Sequence, residues 1–418
     1  MAMDGEAAGL RVLPGQRTGP LRAPTPELRL AVYGAFFLSG ATALVFQVLW
    51  SRQFVTVFGA STYAISVVLC AFMAGLGAGS WLGGRLADRF SRRLLMYGLI
   101  QVAVALWAAG IPLVLAALRR WAPGLGLLGP ESLLVSTAAR FLISFGILFV
   151  PCALMGATLP LLSRFCVESR EVIGRRVSLL YGLNTLGAAL GCFAAGYWMV
   201  DTLGLSLTNR VAVGANLFIG AGVLALDLGR RRGEAPLRLR PVSESVHDSR
   251  DSSALASAQE PAPGVGGLLL VIAFVSGLAA LSCEVLWLRY LAPLSNMAYT
   301  FPTILGVYLL GIGIGSLICR LFLARLGQPL RVLAGAQLLL ALTVVACFAV
   351  GAIIFSSPEV SFLALWQMTA ITVFAPTMLM GIVFPLLCAA YTRSVSTVGR
   401  SIGVVYALNT VGAIIGSL

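Results

Sequence analysis

The sequence has few charged residues and lacks the clusters that build metal or disulfide sites. It contains no lysine and one histidine, and 11% of its 418 residues are charged, against 59% that are hydrophobic. The eight cysteines form no CxxC pair and fall in or beside apolar runs, as small packing residues do. A soluble protein of this length needs more polar surface. The composition therefore predicts a protein surrounded by lipid, with no metal site, no cofactor and no catalytic residue.

The apolar residues are gathered into eleven runs, each long enough to cross about 30 Å of hydrocarbon as an α-helix. The sequence thus predicts an all-α polytopic membrane protein. Residues 1–29 and 229–265 are polar, so we expect a disordered cytoplasmic tail and a cytoplasmic linker there. The predicted spans are 30–50, 62–84, 94–118, 141–163, 177–200, 209–228, 266–291, 299–319, 332–355, 361–390 and 401–418.

All 29 basic residues are arginines, and the net charge is +13. They lie between apolar runs and not in one domain with exposed aromatic residues, so nucleic acid is not an expected partner. If the N-terminus is inside, 23 of the 29 arginines fall in inside segments. Such a bias is typical of cytoplasmic loops. We therefore predict a plasma-membrane protein with a cytoplasmic N-terminus.

Short motifs recur in the same order in the two parts of the chain, which indicates an internal duplication. Six spans per copy give both copies one orientation, so the sequence predicts two parallel repeats of six helices, residues 30–228 and 266–418. Leu418 aligns with Phe193 in the fifth span, and the second repeat is expected to be truncated there. Repeated residues include Ser39 and Ser276, Trp50 and Trp287, Gln101 and Gln337, Met155 and Met380, and Tyr181 and Tyr406.

Two equivalent positions carry polar side chains inside predicted helices. Glu284 in the second repeat corresponds to Gln47 in the first, each three residues before a tryptophan. A carboxylate within a membrane helix is costly and suggests a functional site by default. Two interpretations remain open: an anionic site for a cationic solute or proton, and an interfacial belt anchored by Trp50 and Trp287.

A second polar pair, Asn184 and Asn409, lies about two turns inside the fifth span of each repeat. An asparagine in lipid needs a hydrogen-bond partner, which is most often another helix. Both a helix–helix contact and a solute-binding role remain open for this pair.

Glycines spaced four apart predict close packing between helices. Gly75, Gly79 and Gly83 share one helix face, and Gly311 and Gly315 repeat the spacing in the second copy. Dinucleotide-binding loops have a similar glycine motif, but there a β-strand precedes the motif, whereas an apolar helical run precedes these glycines.

The loop over residues 84–93 joins the second and third spans, and it resembles the signature loop of the major facilitator superfamily. Ser91 stands where that loop usually has a glycine. Simple positive-inside topology explains the arginines but not Asp88, which can pair with arginines and with helix dipoles. This predicts a conformational latch between the halves, and Ala324 replaces the aspartate in the second repeat. The latch candidates are Asp88, Arg89, Arg92 and Arg93.

Longer strings extend the resemblance. Residues 39–52, 71–81, 155–160 and 180–187 are similar to the membrane region of bacterial spermidine synthase-like proteins, in which a major facilitator-like module is fused to an aminopropyltransferase. Gln47 departs from the family pattern, which Glu284 matches. The resemblance implies a bacterial inner-membrane protein associated with polyamines, and a soluble aminopropyltransferase domain downstream of residue 418.

Three functions remain open at this point. The leading one is a transporter-like membrane domain that anchors a spermidine synthase-like enzyme and moves a polyamine or another cationic small solute. The others are an independent secondary transporter of the major facilitator type and an inert membrane scaffold. All three share the lipid bilayer as partner.

The predicted topology is tested by labelling cysteines introduced beside Arg92 and Arg231 with a membrane-impermeant reagent. Because both segments are predicted to be cytoplasmic, the reagent should reach both from the same face of the bilayer. Labelling from opposite faces would contradict the parallel duplication.

Overall fold

The computed structural model describes residues 24–58, 62–121, 133–233, 265–294, 297–323, 329–354 and 362–417. Nearly all of the predicted tail and linker lies outside these residues. Within them the chain forms twelve α-helices and no strand. The helices are α1 (Pro26–Phe58), α2 (Thr62–Arg89), α3 (Arg93–Trp121), α4 (Leu133–Cys166), α5 (Ile173–Ala194), α6 (Val200–Gly233), α7 (Val265–Leu291), α8 (Met297–Leu323), α9 (Pro329–Ile354), α10 (Phe362–Thr372), α11 (Phe374–Tyr391) and α12 (Val398–Ser417).

The fifth and sixth passages are joined without a long loop. A five-residue π-helical stretch, Ala195–Met199, follows α5, and the helical geometry breaks at Gly204, which has a φ of 73°. Glycine adopts this angle without steric cost. The Thr208 hydroxyl donates a hydrogen bond of 2.9 Å to the Met199 carbonyl across the break. Two separate crossings are thus made from one continuous stretch.

The remaining break falls inside the tenth passage, where Val373 separates α10 from α11. Counted this way, the described helices make eleven passages, which match the eleven predicted spans. Nine stretches of described helix are long and apolar enough to cross a membrane, and one of them, Arg170–Arg230, includes both the fifth and the sixth passages. The prediction of an all-helical, multi-pass membrane protein is confirmed.

Large apolar side chains cover the outside of the bundle. Leu113, Phe218 and Ile353 are 74%, 76% and 71% exposed. Such exposure is unfavourable in water but costs nothing where lipid is the solvent. In lipid, helices associate through close packing and hydrogen bonds.

The closest packing occurs at glycines that recur in both copies. A Cβ atom added to Gly79 of α2 would lie 1.8 Å from the Ala153 carbonyl oxygen of α4. At the equivalent Gly315 of α8, the Met378 carbonyl oxygen of α11 would be 1.9 Å away. These distances leave no room for a side chain. The other predicted packing glycines also lie against a neighbouring helix: Gly75 against Cys152, Gly83 against Ala157 and Gly311 against Thr377.

The first half (α1–α6) meets the second half (α7–α12) through two equivalent helix pairs, α2 with α12 and α5 with α8. The Ser80 hydroxyl of α2 donates to the Gly403 carbonyl of α12 at 3.3 Å. In the other pair, the Ser316 hydroxyl of α8 donates to the Ser178 carbonyl of α5 at 2.9 Å. The interface is therefore built twice from the same repeated positions. We call the end that carries residues 85–93, 164–176 and 393–400 the basic end.

Replacing Gly79 with alanine should destabilise the protein by about 1–3 kcal/mol, because the new methyl group would overlap the α4 backbone. The measurement is thermal unfolding of the purified protein in detergent. Gly110→Ala in α3 is the matched control, since nothing lies within 4 Å of its added Cβ. Equal stabilities for the two variants would contradict the close contact.

Candidate functional site

A cavity of about 250 Å³ lies between the two halves, and all four predicted solute-binding residues line it. Gln47 reaches it from α1, Asn184 from α5, Glu284 from α7 and Asn409 from α12. Residues separated by up to 362 positions in the chain thus share one site. No group of three or more His, Cys, Asp or Glu residues suited to a metal ion is found in the described ranges.

The two asparagines hold the walls of this cavity in the same way. The Asn184 amide donates to the Phe36 carbonyl at 3.0 Å, and the Asn409 amide donates to the Ala273 carbonyl at 3.1 Å. Phe36 and Ala273 are repeat equivalents. Each asparagine therefore links the fifth helix of its copy to the first, which is the helix–helix role that the sequence left open. Both also line the cavity, so a solute-binding role stays a prediction.

Glu284 is the only charged residue among those that line the cavity. Its carboxyl group makes no hydrogen bond or ion pair with any residue that the structure describes, and Arg289 on the same helix is not its partner. An isolated carboxylate in a low-dielectric surrounding is costly unless it meets a proton or a cation. The cavity is thus chemically suited to a positively charged ligand.

Several aromatic side chains also line the cavity, and none of them was among the predicted site residues. Tyr181 and Tyr406 are repeat equivalents, and both rings lie beside Phe384, at centroid distances of 4.7 and 5.7 Å. Tyr308 also lines the cavity, where the first half has Phe72. Comparing the copies position by position would have drawn attention to Tyr308 and to Phe384, which replaces Leu159. Where the copies differ, the second half thus contributes the charged group, an additional hydroxyl and an additional aromatic ring to the cavity.

The interfacial-belt interpretation of Trp50 and Trp287 is wrong. Both indoles are buried, with 1% and 0% exposure, and each stacks on a phenylalanine: Trp50 on Phe46 at 5.4 Å and Trp287 on Phe348 at 6.1 Å. Neither indole N–H has a hydrogen-bond partner among the described residues. These rings pack inside the helix bundle and do not anchor it in the headgroup region.

At the basic end, Asp88 connects the halves. Its carboxylate accepts backbone hydrogen bonds from Gly399 at 3.0 Å and from Arg400 at 2.7 Å, at the start of α12. The Arg164 guanidinium of α4 lies 3.4 Å from the same carboxylate. A carboxylate at a helix N-terminus satisfies unpaired N–H groups and interacts favourably with the helix dipole. The contact therefore stabilises the α2–α12 interface.

The three arginines grouped with Asp88 are placed differently. Arg89 and Arg92 are exposed and make no hydrogen bond or ion pair with the described part of the chain. Arg93 is buried, and its Nε donates to the Ala87 carbonyl at 2.8 Å within the first half. Arg164, which the sequence analysis did not include, is the arginine beside Asp88. Ala324 lies outside the described residues.

At the opposite end, aromatic rings join the halves. Tyr197, in the π-helical stretch, stacks on Tyr299 of α8 at 5.6 Å and lies 5.8 Å from Trp366 of α10. The Tyr197 hydroxyl also hydrogen-bonds the Thr303 hydroxyl. Asp201 accepts a hydrogen bond from Tyr299 at 3.3 Å and pairs with Arg52 at 3.5 Å. The halves are therefore in contact on both sides of the cavity.

A cavity between two equivalent helical halves, with contacts between the halves on either side, is the architecture of a known transporter family. Residues 31–417 match the family model described as Major Facilitator Superfamily. The chain belongs to the Major Facilitator Superfamily. No curated protein matches this superfamily member significantly.

Solved structures of other major facilitator proteins share its fold. The chain is similar to the fucose:proton symporter of Escherichia coli, with a TM-score of 0.52 and 16% identity over 92% of this chain and 89% of that one. The human organic anion transporter TETRAN gives 0.53 and 17% over 94% and 93%. The proton:xylose symporter XylE gives 0.55 and 14% over 93% and 87%. None of these relatives is an aminopropyltransferase, so the spermidine synthase-like resemblance stays a prediction.

Exchanging Asp88 for asparagine should loosen the basic-end contact, because the charge that strengthens the bonds to the α12 amides is lost. We expect the amides of Gly399 and Arg400 to exchange hydrogen about tenfold faster. Hydrogen-exchange mass spectrometry of the peptide covering the α12 start measures this. Glu171→Gln is the control, because this carboxylate lies exposed at the same end without a partner in the described chain. Unchanged exchange in the Asp88 variant would remove the latch role.

Proposed function

We propose that this protein is a secondary transporter that carries a small organic cation through the central cavity by alternating access. The observation that carries the proposal is the isolated carboxyl group of Glu284, the single charge among the cavity-lining residues described. A positively charged solute that enters this space gives Glu284 the ionic partner that the described residues do not supply. A neutral or anionic solute does not.

The aromatic surroundings support the same substrate class. Tyr181, Tyr308, Phe384 and Tyr406 line the cavity together with aliphatic side chains. Aromatic faces attract organic cations, and the attraction increases when water is excluded. The cavity thus favours a cation with an apolar body over a strongly hydrated inorganic ion.

Glu284 also offers a way to couple the solute to protons. A carboxyl group in this cavity is stabilised either by a bound proton or by a bound cation, and one site cannot hold both. Release of the proton on one side and of the solute on the other gives exchange transport. In this mechanism Asp88 closes the basic end and the Tyr197 cluster closes the opposite end.

The proposal includes an orientation and a solute. We place the basic end in the cytoplasm of a plasma membrane, because arginine-rich loops are retained there. The resemblance to bacterial spermidine synthase-like proteins favours a polyamine or its precursor as the cation, with an aminopropyltransferase domain downstream. An independent major facilitator transporter fits the fold equally well, and its cation need not be a polyamine.

Uptake of labelled putrescine and spermidine into proteoliposomes tests the proposal. The Glu284→Gln variant keeps the size of the side chain and reproduces Gln47 of the first half, but removes the charge. We expect uptake driven by a proton gradient to fall at least about tenfold, because the cation loses its ionic partner.

Glu171→Gln serves as the control, since it makes the same chemical change on an exposed residue at the basic end. Equal uptake by the wild type and by Glu284→Gln would contradict the site. An absence of flux of any organic cation through the wild-type protein would leave the scaffold function in its place.

A further inference from the structure

A second pocket lies at the basic end of the second half, away from the central cavity. It is open, has a volume of about 400 Å³ and lies between the start of α7 and the turn that joins α11 to α12. Gly266 and Gly267 of α7 form one side, and Arg393 and Ser401 form the other. Neither the latch nor the proposed transport uses these residues.

The duplicated architecture shows what is missing from this pocket. In the first half, the equivalent corner contains an ion pair between Arg29 and Glu168 at 2.5 Å. The copies are offset by 237 residues around Ser39 and Ser276, and by 225 residues around Met155 and Met380. Arg29 therefore corresponds to Gly266, and Glu168 corresponds to Arg393. The second corner therefore has a guanidinium where the first has a carboxylate, and a glycine where the first has an arginine.

A second polar contact also occurs in the first corner alone. In the first corner, Arg176 donates a hydrogen bond of 3.2 Å to the Tyr33 hydroxyl. Their equivalents in the second corner are Ser401 and Leu270, which cannot form it. Two polar contacts that close the first corner are thus absent from the second.

Two polar side chains that line the pocket, those of Arg393 and Ser401, have no partner in the described chain. Arg393 makes no ion pair or hydrogen bond there, and its Nη2 lies 3.6 Å from a Cβ built on Gly266. Ser401 is 8% exposed and lines the pocket, yet its hydroxyl has no hydrogen-bond partner among the described residues. A guanidinium and a hydroxyl that face the same pocket can both donate hydrogen bonds to an oxyanion bound there.

We propose that this pocket binds the phosphate group of an anionic phospholipid. The Arg393 guanidinium presents paired N–H donors that match two phosphate oxygens, and the Ser401 hydroxyl adds a third donor. Leu268 and Val271, close to the pocket on α7, are 59% and 57% exposed and give the acyl chains an apolar surface. A lipid joins both features, whereas free phosphate uses the first alone.

Native mass spectrometry of the purified full chain tests this in detergent that contains equal amounts of phosphatidylglycerol and phosphatidylcholine. The wild type should retain phosphatidylglycerol preferentially. Arg393→Gln should lower the retained phosphatidylglycerol about tenfold and leave phosphatidylcholine unchanged, because charge-assisted bonds to phosphate are lost. Arg331→Gln is the matched control, since it removes one exposed arginine from the start of α9.

A second variant, Gly266→Arg with Arg393→Glu, rebuilds the ion pair of the first half inside the pocket. It should unfold at the same temperature as the wild type and lose the preference for phosphatidylglycerol. Equal losses in Arg393→Gln and Arg331→Gln would overturn the site, since any surface charge would then serve. Displacement of the lipid by millimolar inorganic phosphate would overturn the lipid assignment. These measurements involve no transport, so they stand apart from the function of the central cavity.

Discussion

The bundle depends on how closely its helices approach, because lipid provides no hydrophobic force to hold them together. At Gly40, an added Cβ would lie 2.0 Å from the Asn184 carbonyl oxygen, and at Gly277 it would lie 1.8 Å from that of Asn409. This approach brings each asparagine amide onto a backbone carbonyl of the first helix in its copy. The same contacts form part of the cavity wall. The candidate site therefore depends on the helix packing, because the close approach at the glycines positions the asparagines of the cavity wall.

Much of this arrangement could be predicted from the sequence, and the reason is physical. Hydrocarbon excludes polar groups, so a residue such as Glu284 or Asn409 is conspicuous inside an apolar run. The duplication then identified Gln47 and Asn184 as their equivalents, and all four line one cavity. The spans follow from the same exclusion, since only helices satisfy the backbone without water.

Other features could not be predicted because they depend on distant contacts. Tyr308 and Phe384 look like ordinary apolar residues until the fold places them around the cavity. The partners of Asp88 lie 311 and 312 residues away at the start of α12, and local sequence suggested the neighbouring arginines instead. A surface role for Trp50 stayed open because the local sequence does not show which helices will pack around its indole ring and bury it.

The two helix pairs between the halves are equivalent in origin but not in chemistry. At the start of α12 the contact is the Asp88 carboxylate, whereas at the start of α5 the Leu323 side chain packs 3.1 Å from a Cβ built on Gly174. Water readily solvates a carboxylate and free amide groups, but separating leucine from its neighbours exposes hydrocarbon. Entry of water at the basic end should therefore cost less along the α2–α12 seam than along the α5–α8 seam. Two seams that share an origin in duplication thus differ in the kind of surface that their separation would expose.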